Sequence, residues 1–346
     1  MSAGPHRLPR NSDLPSPLRV AQVGLGDIGR ASCRVAADRR GLRLVGAADP
    51  APGIRGQDLG ALVGIDLGGK IEVRGSIEEL LDDARPQVVI HTTGSRIAAV
   101  APQLEEILSR GVSCVTSAEE MLLPDFRDPQ AAARLDEVAR RNGAALVGTG
   151  VNPGFVLDLL PILMTGACRR VESLRAGRAV DLASRRPALR RKTGVGLTAE
   201  EFTEQAAARR MGHVGLLESA ALICRVLGWD EGGLQESILP VLARSELKVG
   251  DAEVPAGRVR GNNHVVRLER DGRELLFLDL RMVLGEAEPG DWIEIRGEPD
   301  LEVRLPGGLP GDLATAAILV NTVPRIAAAP PGLHTILDLP PVRFSA

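Results

Sequence analysis

The sequence predicts an α/β protein: a doubly wound parallel sheet in the first half, then an α+β domain with a mainly antiparallel open sheet. Three observations carry this reading. Short apolar runs alternate with amphipathic helical stretches up to about residue 150. A glycine-rich turn falls between the first strand and the first helix. Beyond residue 150, charged and apolar residues interleave at the period of half-buried strands. Residues 1–17, with four prolines and no apolar stretch, read as a disordered leader. Residues 18–150 form the first domain and 151–310 the second. Residues 311–346 are a terminal helix and tail returning to the first.

Leu18–Val23 (LRVAQV) is a buried strand, with a helix after it to Arg39. Leu42–Ala48 is a second strand, closed by Asp49-Pro50. A short strand at Ile71–Val73 and a helix over Ile77–Ala84 precede the strand Gln87–His91. A helix over Ile97–Arg110 leads to the strand Val112–Val115. Asp128-Pro129 supplies an N-cap and first-turn proline, and Asn142-Gly143 the stop, of another helix. Ala144–Gly148 is the domain's last strand. In the second half Val241–Val249, Arg258–Glu269, Glu274–Leu284, Asp291–Gly297 and Leu301–Leu305 read as strands, with Asp271-Gly272 as a two-residue hairpin turn. Helices are expected over Phe155–Gly166, Thr198–Arg210, Val214–Leu227 and Asp312–Ala327. The alternating strands leave one sheet face for solvent or a second copy, which suggests a C2 homodimer.

Composition narrows the function. Net charge is −3, and Lys70, Lys192 and Lys248 are the only lysines, so nothing suggests a nucleic acid partner. The arginine run 185–192 reads as a solvated face. No apolar run reaches the ~18–20 residues of a membrane span. Cys33, Cys114, Cys168 and Cys224 lie far apart without metal-ligand spacing, so no metal is expected and a reducing cytoplasm fits. The absence of tyrosine excludes a Tyr acid.

Gly24, Gly26 and Gly29 complete G-x-G-x-x-G, the fingerprint of a Rossmann-type dinucleotide-binding domain. The first glycine allows the turn, the second the approach of a pyrophosphate, and the third close packing of helix on sheet. Asp27 and Ile28 lie within the motif, Asp27 turned outward to cap the helix. Asp49, twenty residues after Gly29, is placed for a ribose 2′-hydroxyl. Its charge favours NAD(H), while Arg55 lies close enough in sequence to serve NADP(H). Thr92, Thr93, Gly94 and Ser95 follow a strand at the sheet's carboxyl edge and are cofactor candidates.

The segments GLGDIG, HTTGS, TSAEEM, GTGVNPGF, RRKTGVGLTAEEF, GHVGLLES, GDLATAAILVNTVP and PGLHTILDLP, in this order, resemble 2,4-diaminopentanoate dehydrogenases and the related native amine dehydrogenases. These carry an N-terminal domain similar to dihydrodipicolinate reductase. The resemblance spans about Leu18 to Pro340. It implies a homodimer that uses NAD(H) or NADP(H) for reversible oxidative deamination of an amine, or reductive amination of a ketone or aldehyde with ammonia. It also implies a catalytic glutamate within Ser117–Met121.

The residues agree on their own terms. Reductive amination needs a base for ammonium and the carbinolamine, and an anion that favours the iminium. Glu119 and Glu120 are the two candidates. A capping box from Ser117 would engage Glu120 and leave Glu119 for chemistry, whereas a cap at Thr116 would reverse the roles. Asn152 and Phe155, in a shaped loop, are pocket candidates, as are Arg178, His213 and His264. Thr315 and Asn321 in the terminal helix either face substrate and cofactor or pack on the sheet. Two other readings remain: an imine reductase like dihydrodipicolinate reductase, whose paired-histidine and lysine segment is absent, and a non-catalytic NAD(P) sensor.

Overall fold

The computed structural model describes residues 17–183, 190, 192–208, 210–249 and 252–345. All but the last residue of the expected leader, and most of the arginine run, lie outside the described residues. Two compact units result: residues up to Gly150 with Asp312 onward, and Val151–Gly311.

The first unit begins β1 (Leu18–Val23), α1 (Asp27–Ala37), β2 (Leu42–Ala48), α2 (Leu59–Val63), α3 (Ile77–Ala84) and β3 (Val88–His91). It continues α4 (Ile97–Ser109), β4 (Ser113–Thr116), α5 (Pro124–Arg127), α6 (Pro129–Asn142) and β5 (Ala145–Gly148). The second unit holds α7 (Leu159–Thr165), β6 (Arg170–Asp181), α8 (Ala199–Ala207), α9 (Leu216–Leu227), β7 (Leu234–Leu242), β8 (Leu247–Val249) and β9 (Ala252–Val254). Its last strands are β10 (Val259–Arg270), β11 (Arg273–Val283), β12 (Gly290–Glu298) and β13 (Leu301–Pro306). The chain then enters α10 (Gly311–Ala327) and β14 (Gly332–His334).

The first sheet has the order β14-β5-β4-β3-β1-β2, with every pairing parallel. Its strands are apolar because helices cover both faces; β3 and β5 are buried at every position. Local signals set the helix ends. Asp128 accepts a hydrogen bond from Ala131 N at 2.9 Å ahead of Pro129 at the first helical position, and Gly143 closes α6 at φ 71°. The segment at Ile71–Val73 is no strand: it pairs only through the isolated bridges Asp58–Glu72 and Ala48–Arg74.

The second sheet, β13-β12-β6-β11-β10-β7, is antiparallel except between β6 and β11. Asp271 and Gly272 turn β10 into β11 with φ of 52° and 72°, and Arg270 pairs with Arg273. The expected strand Val241–Val249 is divided, its ends going to β7 and β8. Helix starts also move. Residues expected to open a helix at Phe155 form turns until Asp158, whose carboxylate accepts from Gly154 N and Leu159 N, starts α7 at Leu159. Thr198 and Glu201 make a reciprocal capping box for α8, which ends at Ala207 rather than Arg210. Gly215, at φ 107°, delays α9 to Leu216. Among the described residues no helix is long and apolar enough to cross a membrane.

Candidate active site

The glycine motif sits at the carboxyl edge of the parallel sheet, where β2 lies on one side of β1 and β3 on the other. Such reversals of strand order are where open α/β sheets bind ligands. Gly24 needs its left-handed φ of 85°. A Cβ on Gly29 would fall 1.9 Å from the Gly24 carbonyl oxygen, so only glycine lets α1 approach. A Cβ on Gly26 would meet nothing within 4 Å. That side of the turn is open, Gly26 supplies no side-chain cap to α1, and Asp27 beside it is exposed while Ile28 is half-buried. An open approach onto the first turn of a helix fits a dinucleotide pyrophosphate.

Polar side chains fix the turn. Thr92 Oγ1 donates to the Gly24 carbonyl at 3.0 Å, and Gln22 Nε2 donates to both, at 2.9 and 3.0 Å. Leu25 N–H donates to Asp49 Oδ2 at 2.8 Å, and Ala51 N–H to Oδ1 at 2.9 Å. Thr92 and Asp49, expected at the cofactor, thus also shape the loop that would receive it. Gln22 was missed because a buried amide within an apolar strand gives no spacing signal.

Further along the same edge, His91 is buried. Its Nδ1 lies 3.0 Å from Thr116 Oγ1, and its Nε2 lies 2.8 Å from Gln103 Oε1 and 2.9 Å from Thr93 Oγ1. Burial holds its pKa down at about 4 against the Gln103 bond that raises it, so the ring is neutral. Gly94 packs near Val100, where a Cβ would approach Cγ1 to 3.1 Å. The Ser95 carbonyl accepts from Glu120 N–H at 3.1 Å.

Glu119 and Glu120 open a 3₁₀ turn, Glu119–Leu122, directly after β4. The Ser117 capping box does not form. Glu120 is buried and reaches across to α4, where Oε2 accepts from Ile97 N–H at 2.9 Å and Oε1 from Arg96 at 3.2 Å. Arg96, at the N-cap of α4, has no cap of its own, and the helix takes this carboxylate instead. Glu119 is half-buried on the same turn. In α10, Asn321 Oδ1 accepts from Ser345 N–H at 3.2 Å, facing the C-terminal tail, and Thr315 is half-buried.

The second unit gathers the other pocket candidates. Ile238, His264, Leu280, Arg178 and Asp291 pair across five strands and share one sheet face. Arg178 and Asp291 form a buried pair at 3.5 Å, and Arg178 also donates to the Leu309 carbonyl. Burial raises the pKa of Asp291 against the pull of Arg178. His264 Nε2 lies 2.9 Å from Glu236 Oε1, and its Nδ1 receives His213 N–H at 3.3 Å. The His213 pKa drops to about 4 through burial and then through His264, Arg178 and Lys192, with a backbone bond to Asn152 opposing. Asn152, half-buried, turns an enclosed Oδ1 that has no hydrogen-bond partner. Phe155 is half-buried in the same loop, which buried Asp158 ties to Ser219 Oγ at 2.7 Å. Asp158, Ser219, Glu236 and Asp291 were missed, since each finds a partner distant in sequence.

Comparison with known proteins agrees with both halves. Residues 155–344 match the family model of the 2,4-diaminopentanoate dehydrogenase C-terminal domain. The chain is 30% identical to 2,4-diaminopentanoate dehydrogenase of Acetoanaerobium sticklandii, covering 93% of each. The solved structure of an amine dehydrogenase from Mycobacterium smegmatis matches with a TM-score of 0.80 and 28% identity, over 95% of this chain and 98% of that one. GenD2 from gentamicin A biosynthesis, solved with NAD, shares the fold at a TM-score of 0.52 and 17% identity, over 87% and 75%. The chain belongs to the 2,4-diaminopentanoate dehydrogenase family and is an oxidoreductase.

Proposed function

We propose that the protein is an NAD(P)-dependent amine dehydrogenase that deaminates a small amine oxidatively and, in reverse, aminates a ketone or aldehyde with ammonia. The observation that carries this reading is the pair of adjacent carboxylates on the turn that follows β4, at the carboxyl edge of the parallel sheet. Glu120 is engaged by the N-terminus of α4, while Glu119 stands half-buried on the same turn at the cofactor edge. Glu119 takes a proton from ammonium so that ammonia can add, and returns it to the carbinolamine hydroxyl as water leaves; its charge then favours the iminium. The bound nicotinamide supplies or accepts the hydride. Gly24, Gly26 and Gly29 hold the pyrophosphate at the start of α1, and Asp49, with one backbone donor on each oxygen, retains lone pairs for a ribose 2′-hydroxyl. That carboxylate favours NAD(H) over NADP(H). Asn152, Phe155, Arg178, His213, His264 and Thr315 are assigned to substrate.

The test is an absorbance assay with NADH or NADPH, ammonium and a panel of short ketones and aldehydes. Consumption is expected to require ammonium and to fall by on the order of 10²–10⁴ in Glu119→Gln, with cofactor affinity kept. Glu120→Gln is expected to lose roughly 1 kcal/mol of stability but keep most of its turnover. Ammonium-independent consumption would point to a carbonyl or cyclic-imine reductase, and cofactor binding without turnover to a sensor.

We also assign the protein to a homodimer in a reducing compartment such as the cytoplasm. The sheet face opposite His264 carries half-buried Phe277, flanked by Arg175 and Arg267 at 4.8 and 5.5 Å from its ring, and half-buried Trp292 lying over Gly177. Leu239 on that face is a large apolar side chain left 58% exposed. None of the four cysteines is bridged. Sedimentation equilibrium should give twice the chain mass, and Leu239→Glu should shift it toward monomer.

A further inference from the structure

Resting on the assignment of Glu119, we propose that His91 is a positioning residue for it: the His91 ring and carbonyl hold the turn Thr116–Ala118 that carries Glu119. The bonds form one directed chain. Gln103 offers Oε1, an acceptor, to His91 Nε2, so the proton of the neutral ring sits on Nε2. Thr93 Oγ1 donates to the same Oε1 at 2.7 Å and leaves that polarity unchanged. Nδ1 is then an acceptor, and the Thr116 hydroxyl 3.0 Å away donates to it.

The Thr116 hydroxyl has one proton, now committed, so its lone pairs face the turn. Ala118 N–H donates to that oxygen at 3.1 Å. Ser117 N–H donates to the His91 carbonyl at 3.0 Å. Both peptide N–H groups between β4 and Glu119 are thereby tied to His91, one directly and one through Thr116. Ala118, the residue before Glu119, is the N-cap of the 3₁₀ turn and has no side-chain cap bond. A capping serine or threonine is absent there: the Glu120 N–H that such a cap would engage goes to the Ser95 carbonyl, and Thr116 fixes the residue that leads into the turn. The ring is buried and Thr116 is fully enclosed, so water does not compete for these bonds.

The experiment measures kcat, KM and NADH affinity for five variants of the full-length protein. Thr116→Val keeps the shape and deletes the hydroxyl; kcat is expected to fall on the order of ten- to a hundredfold, with NADH affinity changed by less than about twofold. Thr116→Ser should restore kcat. His91→Asn places an acceptor near the position of Nδ1, and His91→Gln places a donor near that of Nε2, so kcat should be higher in His91→Asn. Residues that merely fill the core would show no such order, because both variants lose similar packing. An unchanged kcat in Thr116→Val, or His91→Gln equal to or better than His91→Asn, overturns the inference. If Thr116→Val does not fold, the order of the two His91 variants decides. Glu119→Gln is the fifth variant. If it is inactive while the others match wild type, only the positioning role fails; if it is active, the assignment of Glu119 fails and the positioning role with it.

Discussion

Carboxylates along the carboxyl edge of the first sheet and those on the His264 face of the second do different work. In the first, Asp49, Asp58, Glu120 and Asp128 each accept a backbone N–H, from Leu25, Ala61, Ile97 and Ala131. These bonds end strands and start helices, so the acids build the loops of the cofactor edge. In the second, Asp291 pairs with Arg178 and Glu236 with His264, side chain to side chain on neighbouring or nearby strands. There Asp291 offsets the charge of Arg178 inside a sheet face, and Glu236 holds the His264 ring. A backbone N–H is a fixed donor that only a proline substitution removes, whereas a side-chain partner can be deleted and leave a buried charge alone. The first arrangement gives a rigid edge for any bound nucleotide. The second gives a polar wall whose charge depends on each member.

The largest effect that sharpens this contrast is expected at Asp291. Both side chains of the Arg178–Asp291 pair are almost fully enclosed, at 5% and 1% exposure. Asp291→Ala leaves the guanidinium without its counter-charge and should cost about 3–5 kcal/mol, read as a lower urea midpoint for the second unit. The double variant Arg178→Met/Asp291→Leu should recover most of that loss, because an apolar pair of similar volume has no desolvation penalty. A single variant as stable as wild type would show that the pair is hydrated and the contrast with the first unit unfounded.

The same contrast explains what could be read from the sequence. The strands of the first sheet are buried on both faces, so LRVAQV and LRLVGAA stand out as apolar runs. Asp128-Pro129 and Asn142-Gly143 mark their helix because cap and helix are adjacent. Asp271-Gly272 is legible for the same reason: its information is local. The central strand β6 was not. RVESLRAGRAVD is not among the expected strands, yet it lies between β12 and β11, with Arg178 buried against Asp291 and Gly177 under an indole from β12. The Glu119-Glu120 pair shows both cases in adjacent residues. That a carboxylate stood at the sheet edge was legible, but the capping partner of Glu120 was not, since Ile97 opens a helix from the preceding loop rather than its own. Local acids announce themselves, while paired charges across strands do so only once the register is known.

A smaller effect tests whether the first unit's rigid edge has a titratable weak point. His91 is fully buried and neutral, with a folded pKa near 4 against 6.5 for a free histidine. Above pH 6.5 the ring is neutral in both folded and unfolded chains and stability does not vary through it. Between 6.5 and 4 the unfolded chain binds a proton that the folded ring refuses, so stability falls as pH falls, by about 3 kcal/mol at the lower end. Below 4 the folded ring protonates as well and the loss levels off. His213 in the second unit titrates in the same direction, but part of its shift comes from neighbouring cations rather than burial. Urea unfolding at a series of pH values should therefore give a shallower slope from 6.5 to 4 in His91→Asn than in wild type. The difference should persist at high salt, because desolvation is not screened, while the remaining slope from His213 should weaken. Equal slopes in wild type and His91→Asn would mean that water reaches the ring, and the edge would then be less rigid than the bonds around Thr116 imply.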